Sequence, residues 1–149
     1  MTDFESVRTV GILFDATHTD DVMVVSRMAE KLREEGKDVT VLGHIRYKVK
    51  EDKEDYVFDA TDINWFYVPR MDRVNRFMDA RFDLLISAFT GECLPLEYIA
   101  AGSKAHFRVG AYKRGKTYCS ELMINAHDEF RLADLLDQIM HFTKAIRND

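Results

Sequence analysis

The segment FDLLISAFTGECLPLEYIAAGSKAHFRV, residues 82–109, decides the fold. Its first part, Phe82–Ser87, is an apolar run of strand length. The part Leu94–Gly102 is typical of a helix, with proline in the first turn and glycine at the end. A second apolar run begins with His106–Val109. Two buried strands joined by a helix form a βαβ unit, which implies a parallel sheet covered on both faces.

A second unit of this kind lies at the amino-terminal end of the sequence. Arg8–Phe14 is typical of a central strand, and Asp38–Gly43 is the strand that follows it. Apolar residues at helical spacing between them predict a helix that Thr19 or Asp20 caps and that Gly36 ends. The apolar face of this helix consists of Val22, Val25, Ala29 and Leu32.

The remaining segments predict two more strands and two more helices. Asn64–Val68 is the predicted third strand, and a short helix is expected from Met71 to Met78. Glu121–Ile124 is the predicted sixth strand. Because the link into it is too short for a helical crossover, we expect this edge strand to run antiparallel to its predecessor. A long terminal helix turns one apolar face to the core: Leu132, Leu135, Leu136, Ile139, Phe142 and Ile146.

Together these elements predict an α/β fold with three layers, αβα, around a Rossmann-like, mostly parallel sheet of about six strands. The favoured strand order is 3-2-1-4-5-6, with an antiparallel edge strand. We expect residues 1–149 to form a single domain in which residues 47–56 are a charged surface loop.

Composition excludes several classes of function. The chain of 149 residues has a formal net charge of −5 and no cluster of basic residues, which argues against binding nucleic acid. Its apolar runs are too short to cross a membrane, and its first residues do not resemble a signal peptide, so we expect a cytoplasmic protein. The two cysteines, Cys93 and Cys119, are too few for a disulfide framework or a zinc site.

A ligand site is expected where the strand order reverses, between the first and fourth strands. Two loops follow these strands, at residues 15–21 and 88–93. The residues most suited to line a cleft there are Thr17, His18, Thr90, Glu92 and Cys93. The first loop lacks the glycines of a dinucleotide fingerprint and carries three carboxylates, and no Walker phosphate loop occurs. We therefore predict no nucleotide cofactor.

Three chemistries remain open at these loops. Asp15-Ala-Thr-His-Thr19 resembles the nucleophile motif of P-type ATPases and haloacid-dehalogenase-like phosphatases, in which Asp15 would attack phosphorus with the help of magnesium. His18 beside Cys93 is typical of a thiol nucleophile with its base. A metal site of His18, His44 and Glu92 is geometrically possible but is the weakest of the three hypotheses, and we predict no metal. The further groups that the phosphatase motif needs would be Ser87, Lys104 or Lys113, and Asp128 with Glu129.

Five segments carry a family resemblance. They are Asp62–Phe66, Phe82–Ser87, Leu94–Ala101, Phe107–Gly110 and Glu121–Ile124. Through them the chain resembles an uncharacterised family of short bacterial proteins, a domain of unknown function, from about Val57 to Ile146 and more loosely over the first βαβ unit. The resemblance implies a Rossmann-like fold and no activity. The run that ends at Gly110 is also similar, at the level of fold, to the amino-terminal half of heptosyltransferase-type glycosyltransferases.

These observations favour a non-catalytic binding or interaction module whose ligand is an unidentified small molecule or protein partner. The first alternative is a magnesium-dependent phosphatase with Asp15 as nucleophile. The second is a partner subunit of a larger complex, and the oligomeric state is left open.

Overall fold

The computed structural model describes residues 3–47, 56–59, 72–112, 115–125 and 131–146. These residues form six strands, four α-helices and a short 3-10 helix. The strands are β1 (Thr9–Asp15), β2 (Asp38–His44), β3 (Val57–Phe58), β4 (Leu84–Ala88), β5 (Arg108–Ala111) and β6 (Leu122–Ile124). The helices are α1 (Thr19–Glu34), α2 (Asp72–Asp79), α3 (Leu94–Gly102) and α4 (Leu132–Ala145), with the 3-10 helix at Thr117–Cys119.

The six strands form one sheet in the order β3-β2-β1-β4-β5-β6. This is the predicted order, and the predicted three-layer α/β, Rossmann-like class is confirmed. The centre of the sheet is the parallel pair β1 and β4, in which Val10 lies opposite Leu84 and Phe14 opposite Ala88. The carboxyl ends of these two strands therefore lie side by side.

The alternation of side chains along the strands divides the core into two parts. In β1, Ile12 and Phe14 pack in one cluster with residues of α1 and α4. Leu13, between them, points to the opposite face and packs in a second cluster with residues of α2 and α3. Because neighbouring residues of a strand point to opposite faces, both faces of the sheet are apolar and each is covered by two helices.

The predicted antiparallel direction of the edge strand is wrong. β6 pairs with β5 in parallel, with Val109 opposite Leu122 and Ala111 opposite Ile124. β5 has only four residues, so the chain must travel back only about 13 Å to start a parallel neighbour. Residues 112–121, which include the 3-10 helix, are long enough for that return without an α-helix.

The structure corrects the predicted start of α1 and confirms its predicted end. The N-cap of α1 is His18, with no side-chain cap hydrogen bond, so the prediction that Thr19 or Asp20 caps this helix is wrong. The predicted end of the helix is confirmed, because Gly36 has a φ of 87°. The predicted strand Asn64–Val68 and most of the charged loop at 47–56 lie outside the described residues.

The terminal helix buries Leu132, Leu135, Leu136 and Ile139 as predicted. Phe142 differs from the prediction, because 45% of its surface is exposed. Among the described residues, no helix is long and apolar enough to cross a membrane.

Gly11 in β1 lies so close to a buried aromatic ring that there is no room for a side chain. A Cβ atom there would lie 2.7 Å from two ring carbons of Phe82, which is itself packed against Phe77. We expect Gly11→Ala to lower the free energy of unfolding by about 1–3 kcal/mol, because the buried ring must shift. Urea unfolding measures this change.

Gly91→Ala is the matched control for this prediction. The nearest atom to a Cβ at Gly91 is 3.9 Å away, so the same substitution should change the free energy of unfolding by less than about 0.5 kcal/mol. Equal effects of the two variants would contradict the close packing of Phe82 on β1.

Candidate functional site

A cleft of about 810 Å³ opens at the carboxyl ends of β1 and β4. Three segments form its walls: the first turn of α1, the loop after β4 and the first turn of α4. The charged and polar residues that line it are Asp15, His18, Asp20, Asp21, Arg46, Thr90 and Arg131. This is the place where a doubly wound sheet reverses its strand order, as the sequence predicts.

Arg46 connects the ends of three strands at the base of this cleft. It follows β2, and its Nε donates to Asp15 Oδ2 at 2.8 Å, at the end of β1. Its Nη2 donates to the carbonyl oxygen of Glu92, in the loop after β4, at 2.9 Å. The backbone N–H of Arg46 donates to Thr17 Oγ1 at 3.1 Å. One side chain and its own amide therefore hold both loops in place.

Asp15 is held as a carboxylate by these contacts. The backbone N–H of Thr17 donates to Asp15 Oδ1 at 3.0 Å, and the Thr17 hydroxyl and Arg46 add further hydrogen bonds. Burial raises the pKa of Asp15, but the bonds from Thr17 and Arg46 outweigh burial, and the pKa lies below its usual 3.8. Both carboxylate oxygens thus have a donor from the protein.

Acidic side chains in the first turn of α1 make this wall of the cleft electronegative. Burial raises the pKa of Asp21 above its usual value, and the charges of Asp15 and Asp20 add to the rise against the opposing effect of His18. The first turn of α4 adds the opposite charge. The side chain of Arg131 is 85% exposed and lies 3.8 Å from Asp134. The cleft therefore offers both negative and positive groups.

The structure brings together some of the predicted site residues and separates others. His18 and Thr90 line the cleft with Asp15. Thr17 lies behind them, in the hydrogen bonds to Asp15 and Arg46.

Two predicted residues of the β4 loop point away from the cleft. The side chain of Glu92 is 73% exposed, and its Oε1 lies 3.9 Å from Lys116 Nζ. Cys93 is 4% exposed and packs in the apolar cluster beneath α2 and α3. His18 is exposed within the cleft, whereas Cys93 does not line it. The geometry therefore does not favour a thiol nucleophile with His18 as its base.

The groups that the phosphatase motif needs do not assemble at Asp15. Ser87 precedes Ala88, which lines the cleft, so Ser87 points to the opposite face of the sheet. Lys104 lies before β5, at the amino-terminal edge of the sheet, where it pairs with Asp79 at 3.2 Å. The other proposed groups, Lys113, Asp128 and Glu129, lie outside the described residues.

His44, the second histidine considered for a metal, is buried at the end of β2. Its ring lies 4.6 Å from that of Phe58, centroid to centroid. Burial lowers the pKa of His44, which favours the neutral ring despite the nearby charges of Asp15 and Asp59. In the part of the chain that the structure describes, no group of three or more His, Cys, Asp or Glu residues could hold a metal ion.

Sequence reasoning missed Arg46 and Arg131. A signal for Arg46 existed: it lies two residues after the end of β2, which neighbours β1, and carboxyl ends of parallel strands share one edge. Arg131 has no such signal. It is the N-cap of α4, and its place at the cleft depends on where that helix begins.

Fold and cleft together define a Rossmann-like α/β protein with a charged site at the reversal of its strand order. The chain belongs to DUF6913, a family of unknown function, which it matches over residues 1–146. The predicted resemblance to an uncharacterised family is confirmed. No curated protein matches the chain. The crystal structure of S. aureus homoserine dehydrogenase is similar over 71% of this chain and 26% of that chain, with 17% sequence identity and a TM-score of 0.36.

The ion pair with Arg46 makes a direct prediction for Asp15. Arg46→Met removes a hydrogen bond and a positive charge, so the pKa of Asp15 should rise relative to the wild type. Because folding lowers the pKa of Asp15 in the wild type, its carboxylate stabilises the folded state at pH values above the pKa of the unfolded chain. This stabilisation is lost as the pH falls through the lower pKa of the folded state. In the variant, this stabilisation should be smaller, and its loss should be complete at a higher pH than in the wild type. An NMR titration of the Asp15 carboxyl carbon measures the change.

Lys104→Met is the control for this titration. It removes the same kind of charge from an exposed pair with Asp79 at the other edge of the sheet. The pKa of Asp15 should not change in this variant. An unchanged pKa in Arg46→Met would show that the Arg46 contact does not determine the ionisation of Asp15.

Proposed function

We propose that this protein is a binding module for a small zwitterionic molecule, such as a free amino acid, which occupies the cleft between the β1 and β4 loops. The observation that carries the proposal is the mixed charge of the cleft, with Asp20 and Asp21 in one helix turn and Arg131 in another. The volume of about 810 Å³ is within the range of small-molecule sites.

The charges around Asp21 support a cationic group on the ligand. The raised pKa of Asp21 reflects burial and the nearby carboxylates of Asp15 and Asp20. Because Arg46 pairs with Asp15, Asp20 and Asp21 are the other two carboxylates of this wall, and His18 offsets part of the charge at Asp21. An ammonium group placed there relieves repulsion between carboxylates.

The positive groups at the cleft support an anionic group on the ligand. Arg131 lies at the start of α4, and α1 begins at the cleft without a side-chain cap. Guanidinium groups and the first N–H groups of helices both favour carboxylates. An amino acid has both charged groups close together, whereas a polyphosphate would meet the carboxylates of α1.

Binding can be tested with free L-amino acids and two derivatives of each. N-acetylation removes the positive charge, and a methyl ester removes the negative charge. We expect a free amino acid to shift the amide signals of residues 17–21, 89–91 and 131–133 in NMR spectra. Each derivative should bind about tenfold more weakly or worse, because it loses one charge-assisted contact.

Variants locate the binding to the cleft. Asp20→Asn and Arg131→Gln should each weaken binding, whereas Asp38→Asn, at the amino end of β2, should leave it unchanged. Equal affinity for an amino acid and its derivatives would contradict the zwitterionic class. The absence of any shift in these amides across all amino acids would contradict the proposal as a whole.

The phosphatase alternative receives less support from the geometry. The hydrogen bonds from Thr17 and Arg46 to both oxygens of Asp15 make the carboxylate a weaker nucleophile, and Ser87 and Lys104 lie away from it. We expect no hydrolysis of p-nitrophenyl phosphate in the presence of magnesium. Turnover that Asp15→Asn abolishes, and that Asp38→Asn at the amino end of β2 leaves intact, would favour the phosphatase over the binding module.

We also infer that the protein works in the cytoplasm. Cys93, which is buried, and Cys119, which is partly exposed, form no disulfide with each other. Two cysteines kept as thiols support a reducing compartment.

A further inference from the structure

A second, much smaller cavity lies on the opposite face of the sheet from the cleft. Its volume is about 20 Å³. Residues from β4, α3, β5 and the connection to β6 line it, among them Ser87, Glu97, Gly110, Lys116 and Ser120. A cavity needs about 10–15 Å³ to hold one water molecule, so this space suits one small ligand and excludes an organic substrate.

The buried hydroxyl of Ser87 is the group in this cavity that is available to hydrogen-bond a ligand. It is 5% exposed, and its Oγ has no hydrogen-bond partner among the described residues. A buried hydroxyl without a partner is costly and rare in folded proteins. Ser87 lies opposite Gly110 in the β4–β5 pair, and the missing side chain of Gly110 leaves the space beside it.

The wall of the cavity that α3 forms carries a buried charge. The Glu97 side chain is 4% exposed, and Lys116 Nζ lies 3.3 Å from its Oε2. Because Lys116 supplies the positive charge, the site has no need of a cation. A neutral molecule that both donates and accepts hydrogen bonds fits these walls best.

We propose that this cavity binds a single water molecule that hydrogen-bonds to Ser87 Oγ and to the Glu97–Lys116 ion pair. The water connects the end of β4 to the first turn of α3. Lys116 Nζ also lies 3.9 Å from Glu92 Oε1, so the hydrated cluster adjoins the loop that forms one wall of the cleft. The site thus braces that loop from the side opposite Arg46.

The sign of a stability change tests the proposal. If Ser87 binds the water, Ser87→Ala loses a hydrogen bond and should lower the melting temperature by about 2–4 °C. If the cavity is dry, the same substitution removes a buried hydroxyl without a partner and should raise the melting temperature. A rise, or no change, overturns the proposal.

Ser26→Ala in α1 is the control for this measurement. Ser26 is exposed, and alanine favours a helix more than serine does, so this variant should not lower the melting temperature.

A crystal structure of the full chain provides the second readout. We expect one density peak within hydrogen-bond distance of Ser87 Oγ in the wild type. Gly110→Ala should remove the peak, because its Cβ would lie 3.0 Å from Ser87 Cβ and 3.1 Å from Ser120 Oγ. A cavity without density in the wild type, or a peak that appears only with ammonium or potassium salts, overturns the proposal.

Discussion

The parallel pairing of β1 with β4 is the constraint on which the rest of the structure depends. It places the segments that follow the two strands at one edge of the sheet, where Asp15 and the β4 loop form the cleft. Two consecutive residues at the end of β4 face different environments on the two sides of the sheet. Ala88 faces the cleft between α1 and α4, and Ser87 faces the small cavity beneath α3.

Arg46 fixes the positions of these two loops relative to each other. Without Arg46, the end of β1 and the β4 loop would still lie at one edge of the sheet. They would lose the two hydrogen bonds that connect them through its side chain. Its contacts with Asp15 and with the Glu92 carbonyl fix their separation and also neutralise Asp15. The proposed ligand would meet the charges of the two helix turns, Asp20 and Asp21 in α1 and Arg131 in α4, where Arg131 also lies 3.8 Å from Asp134.

Most of the fold could be predicted because its elements follow local rules. Hydrophobic spacing located five of the six strands, and the proline and glycine of Leu94–Gly102 predicted the bounds of α3 as the structure has them. The direction of β6 could not be predicted from loop length alone, since the length that a return needs depends on how short β5 is. The cap of α1 was mispredicted because several polar residues in succession can each occupy that position.

The location of the site could be predicted from the strand order, but the orientation of its loop side chains could not. The strand order places His18, Thr90 and Asp15 at one cleft. Which face each loop residue takes depends on contacts between distant segments, and the sequence pattern does not contain them. Glu92 turns toward Lys116, and Cys93 is buried in the core beneath α3. Arg131 reaches the cleft only because α4 packs beside α1.

The β4 loop is therefore held from two sides before any ligand arrives. Arg46 binds the carbonyl of Glu92 on the side of the cleft, and Lys116 lies near the carboxylate of the same residue on the other side. Cys93 is buried directly after it, which anchors the chain as it enters α3. A loop that is already ordered loses little conformational entropy when it binds, so more of the interaction energy with a ligand remains as affinity. Thr90 and Gly91 are exposed residues of this held segment that line the cleft, and the hydroxyl of Thr90 can donate or accept a hydrogen bond without rearrangement of the backbone.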